Sequence, residues 1–141
     1  MNRNLTQFAE DLRAPLERLQ SAMARITTLM SDGHRIAEPA FAKRLEQLEQ
    51  ELAENIERAS VIEAEARTRF AMLETYSPEI VSKWTQRRQT AQLHARADLM
   101  ENSAVAAMEL ALFAVLEAEC AAMRVISARR NTVAVQISRG K

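Results

Sequence analysis

The chain is poor in the residues that bend, cross-link or stack. Its 141 residues hold two glycines, three prolines, one cysteine and six aromatic side chains. Each shortage excludes something. A phosphate-cradling loop needs several glycines whose amides approach the anion, and Gly33 and Gly140 are too few and too far apart. The single Cys120 rules out an intrachain disulfide. Set inside an apolar run, its thiol is expected to be a small buried hydrophobe.

Histidine is equally scarce. Di-iron bundles place Glu-x-x-His on facing helices, but Ser31 and Ala91 stand three residues before His34 and His94. One cysteine and two distant histidines make no closed zinc site. No metal or cofactor is expected. No nucleophile elbow is present, and glutamates on a solvated helix face are the ordinary reading of so many carboxylates, so the chain is not expected to be an enzyme. Formal net charge is zero, leaving no global field to draw the chain onto nucleic acid or anionic lipid. The opening MNRNLTQFAEDLRAP lacks the apolar core of a secretion signal, and a cytoplasmic location is expected. Sixteen arginines against three lysines fit a GC-rich bacterial coding sequence.

What remains is abundant Ala, Leu, Glu, Gln and Arg, all good helix formers. With 48% hydrophobic and 27% charged residues, this is the profile of long helices and coiled coils. The expected fold class is all-α: an elongated antiparallel bundle or coiled-coil hairpin of three or four helices. A single helical domain is expected over residues 1–130, with helices near 5–31, 39–76 and 78–130, followed by an extended or disordered tail at 131–141.

The first helix carries a heptad pattern. Leu5, Leu12, Leu19 and Ile26 recur every seven residues, and Ala9, Leu16, Met23 and Met30 repeat them four residues later. Pro15 interrupts this region, predicting a kink or a helix start at Ala14–Pro15. Ser31-Asp32-Gly33 reads as a stop, with glycine free to turn left-handed. In the second helix the stripe is Phe41, Leu45, Leu48, Leu52, Ile56, Ala59, Ile62, Ala66, Phe70 and Leu73. Its spacing drifts from seven towards eleven. Asn55 sits beside it, expected at the wet edge. Ser77-Pro78-Glu79 reads as a cap followed by a first helical turn. From there to Arg139 no glycine or proline occurs, so a continuous or gently bent helix is expected, with Asn102-Ser103 as the one candidate break. Beyond it, Val133, Val135 and Ile137 alternate with smaller or polar residues in a strand-like period of two.

Two stretches stand out as candidate surfaces. Ala104 to Ile126 has 19 apolar residues in 23, about the length of a membrane span. Glu109, Glu117, Glu119 and Arg124 would each cost about 2.5–3.5 kcal/mol near a bilayer centre, so no span is expected. On a helical wheel its apolar arc is wider than the ~100° stripe that one packing face needs. A second chain is therefore the expected contact for Met108, Ala111, Leu112, Val115, Leu116, Ala122, Met123 and Ile126. Glu109, Glu117 and Arg124 should mark the wet side.

The other stretch is basic. Lys83, Arg87, Arg88 and Arg96 occur without an acid between residues 83 and 96, whereas residues 46–65 hold seven glutamates and one arginine. In a hairpin about Ser77, Glu63 and Glu65 would face Arg87 or Arg88. The alternative is a weak, salt-sensitive nucleic-acid contact made by these four cations and a basic tail. Trp84, the sole tryptophan, is expected to pack the hairpin tip. Together these features predict a non-catalytic assembly or adaptor protein that self-associates and binds a protein partner. Nucleic-acid association is the alternative.

Overall fold

The structure, a computed structural model, describes residues 5–140. It is all-α. Four α-helices follow in order: α1 (Leu5–Asp32), α2 (Glu38–Glu74), α3 (Pro78–Gln86) and α4 (Thr90–Arg139), with a single 3-10 turn, Gly33–Arg35, between α1 and α2. No strand occurs among the described residues. The chain divides into two compact units. The first takes residues up to Glu17 together with Glu57–Ala111; the second takes Arg18–Ile56 together with the chain from Leu112 onward.

Burial on α1 follows a seven-residue rule, but not the row expected. Phe8, Leu12, Pro15, Leu19, Ala22, Ile26, Leu29 and Gly33 are buried or half-buried, in steps alternating between four and three. Leu12, Leu19 and Ile26 belong to the first expected series. Its companion lies three residues on, through Pro15, Ala22 and Leu29, and not four. Both rows are apolar at most positions, so period alone does not choose between them. Ala22 at zero exposure shows the choice made by packing: a methyl group lets the neighbouring helices come close. Pro15 lies inside the helix on this same face, and the helix starts well before it.

α2 likewise keeps seven. Its inward row is Phe41, Leu45, Leu48, Leu52, Asn55, Ala59, Ile62, Ala66, Arg69 and Leu73. The expected drift towards eleven does not occur: Asn55 and Arg69 hold the places assigned to Ile56 and Phe70, which are exposed. Asn55 is half-buried on the seam, and its amide donates to the Glu51 carbonyl at 2.7 Å. A polar side chain that satisfies itself on its own helix is cheaply accommodated there.

The stretch after Pro78, expected to be one continuous helix with Asn102-Ser103 as its candidate break, is interrupted, but not there. α4 runs through Asn102-Ser103; Ser103 is buried and donates to the Leu99 carbonyl at 2.9 Å, so the hydroxyl costs the helix little. The interruption is at Arg87–Gln89. There the Gln89 amide donates to the Trp84 carbonyl (2.8 Å) and the Arg88 amide to the Thr85 carbonyl (3.2 Å). With Arg88 at φ 53°, these two bonds form a Schellman stop. Its left-handed residue is usually glycine, and here arginine hides it from a composition-based reading.

The tail expectation is corrected too. α4 continues to Arg139, so residues 131–139 are helical, not extended; Lys141 lies outside the described residues. In a helix Val133 and Ile137 fall four apart on one face, while Val135 faces elsewhere. The two-residue alternation is thus equally a four-residue stripe.

In the first unit, Ser77 caps α3 by accepting from the Ile80 amide, and Trp84 meets Tyr76 edge-on with ring centroids 5.4 Å apart. The tryptophan packs the turn region, as expected. Glu63 and Glu65 pair with Arg67 and Arg69 on their own helix, and not with Arg87 or Arg88. In the second unit, α1, α2 and α4 share one core: Ala22, Leu29, Phe41, Leu48, Leu116, Cys120 and Met123. Glu38 bonds Arg130 and Glu49 bonds Arg124, so α2 and α4 run antiparallel here. Arg25 meets Glu119, and Gly33 lies against Ile126, so α1 and α4 run parallel. Cys120 is a free, buried thiol inside this core.

Candidate partner-binding surface

The second unit presents an open groove of about 550 Å³. α1 contributes Leu29 and Met30. α4 contributes Val125, Ile126, Val133, Ala134 and Ile137, with Arg129 and Arg130 at the edges. The groove exists because α1 stops while α4 continues. The inward row of α4 passes through Leu112, Leu116, Glu119, Met123, Ile126 and Arg130 in steps of four and three. Val133 and Ile137 occupy its next two places and are exposed at 51% and 58%.

Arg130 builds the closed end. Its guanidinium donates to the carbonyls of Gly33 and Ile36 and to the Glu38 carboxylate (3.0 Å). It also lies 4.5 Å over the Phe41 ring, a cation–π arrangement. One side chain therefore bonds two carbonyls of the α1–α2 connection, of which the Gly33 carbonyl also accepts from the Ile36 amide, and binds that turn to α4. Gly33 completes the closure. A Cβ on it would come within 2.8 Å of Ile126 Cδ1 and 3.1 Å of Leu29 Cδ1. Its φ is not positive, so the expected left-handed role is not the reason for glycine there; close approach of α4 is.

Deeper in the same unit, Glu119 is 3% exposed. Arg44 meets it at 3.2 Å and Arg25 at 3.4 Å. The two guanidiniums are partly open to water, so the carboxylate is the member that depends on its partners. Sequence reasoning counted Glu119 among the charges that oppose a membrane span and did not foresee this neutralisation.

The residues expected to meet a second chain have other surroundings. Leu116 and Met123 are in the core, and Leu112, Val115, Ala122 and Ile126 pack against it. Met108 and Ala111 are half-buried in the first unit. In the second unit α1 and α2 supply the cover that the wide arc demands. Glu117 and Arg124 are exposed as expected, while Glu109 is half-buried beside Arg58. Among the apolar positions left open are three of the α1 heptad pattern: Leu16, Met23 and Met30, at 40%, 54% and 59% exposure. They were legible as a heptad row; its outward direction was not.

Lys83, Arg87 and Arg88 are exposed and Arg96 is half-buried. Among the described residues none of the four is in an ion pair. No group of three or more possible metal-ligating side chains occurs among the described residues, and no helix there is long and apolar enough to cross a membrane. Comparison with protein-family models, curated proteins and solved structures finds no match to this chain.

Proposed function

We propose that this chain is a non-catalytic helical assembly or adaptor protein of the cytoplasm. It is built as an antiparallel, coiled-coil-like bundle that self-associates and holds a protein partner. One observation carries the reading. α1 is apolar on two adjoining heptad rows; one is buried within the chain, and the other leaves Met23 and Met30 open in the second unit. A row at this spacing suits a further helix packed along it, and a methionine surface adapts to its partner's shape. Sedimentation velocity across a micromolar concentration series tests the self-association. A dimer or larger species is expected, shifting towards monomer in Met23→Glu without loss of helical circular dichroism. A wild-type chain that stays monomeric throughout overturns it.

The competing reading is nucleic-acid association through Lys83, Arg87, Arg88 and Arg96. It is supported by the exposure of the first three and the lack of ion-pair partners among the described residues. It predicts retention on immobilised duplex DNA that falls steeply with salt; passage at low salt removes it.

A further inference from the structure

We infer that the groove between the end of α1 and the last turns of α4 seats an acidic amphipathic helix of a protein partner. The inference rests on the adaptor reading and names the chemistry of what is held. Geometry calls for a helix. Met123, Ile126 and Arg130 are covered by α1 and α2, and Val133 and Ile137 continue their row past the point where α1 ends. A row stepping by three and four is matched by another helix, whose own side chains fill the spaces between its knobs. The segment also benefits from cover. Thr132, Val133, Val135 and Ile137 are β-branched, a poor choice for an open helix, and burial of their face supplies what propensity lacks.

Charge selects the partner. From Cys120 to the end of the sequence there is no acidic residue. Arg124 is held by Glu49 and Arg130 by Glu38. Arg129, which lines the groove, is exposed and in no ion pair among the described residues. The apolar groove therefore has a cationic edge at Arg129, which complements Asp or Glu placed beside a partner's apolar row. A second copy of the same segment would set arginines against arginines, an unfavourable juxtaposition. An anionic bilayer shares the charge argument but lacks the shape: an interfacial helix lies on lipid with a convex apolar face, whereas this surface is a concavity between two helices.

Two synthetic peptides with the same leucine heptad row test this, one flanked by glutamate and the other by lysine, titrated calorimetrically onto the full chain. The glutamate peptide is expected to bind and to slow amide exchange from Arg129 to Arg139, with the lysine peptide weaker by about tenfold or more. Arg129→Glu should weaken or reverse that preference, and Val133→Asp should abolish binding of both. Both changes lie outside the core, and unchanged circular dichroism will confirm folding. Failure of the glutamate peptide to bind, equal binding of both, or protection mapping elsewhere overturns the inference. So does tail protection produced without peptide, by phosphatidylglycerol vesicles or by raising the protein concentration alone. Self-association is read separately through Met23→Glu: the adaptor reading fails if the chain neither self-associates nor binds a peptide, whereas equal binding of both peptides sinks only the acidic preference.

Discussion

At the level of single residues, the second unit depends on side chains that sequence periodicity does not single out. Glu119 is buried between two arginines that still reach water, so the damage from breaking this cluster is asymmetric. Replacing both Arg25 and Arg44 by alanine leaves a buried carboxylate alone and is expected to cost about 3–5 kcal/mol in urea unfolding. Glu119→Gln, which leaves only solvated guanidiniums, should cost about 1 kcal/mol. Gly33→Ala puts a methyl against Ile126 Cδ1 and should cost about 1 kcal/mol through overpacking. Arg130→Ala removes bonds to two carbonyls and a carboxylate and should lower stability by about 2–3 kcal/mol. None of these roles was legible. Each arises from residues about 75 or more positions apart coming together, which local spacing does not encode.

For whole elements, legibility depended on which local signal a residue carries. Helix existence and type were readable, because good helix formers and a scarcity of glycine and proline leave few alternatives. The Ser77-Pro78 start was readable as well, since its chemistry is local. The end of α3 was not, because Arg88 occupies the left-handed position that glycine would have announced. That position makes its own prediction. Arg88→Gly should be neutral or raise the melting midpoint, relieving a left-handed cost of about 1 kcal/mol, and Arg88→Val should lower it. On α1 and α2 the heptad period was legible but part of its direction was misread: Met23 for Ala22, and Ile56 for Asn55. Apolar residues stand on both sides of the true row there, and packing, which favours the small Ala22 and the self-bonded Asn55, decides between them.

For the molecule as a whole, association and stability should be linked. A chain that buries the open α1 row by pairing gains stability with concentration. Its melting midpoint is therefore expected to rise over a hundredfold concentration range in calorimetry and to stay flat in Met23→Glu. The candidate surface was half legible on this scale: an apolar face in excess of one chain's needs was foreseen, but on α4 at Ala104–Ile126 instead of on α1 and the end of α4. Two of the turns between helices also differ in how they are secured. The α1–α2 turn is gripped through its carbonyls by Arg130, a residue far along the chain. The α3–α4 turn is closed by its own backbone bonds and exposes Arg87 and Arg88. Added sequence is thus tolerated at one and not at the other. An epitope inserted after Arg88 should cost only local backbone bonds such as Gln89–Trp84 and leave α3 and α4 folded, while the same insertion after Arg35 should unseat the turn from α4.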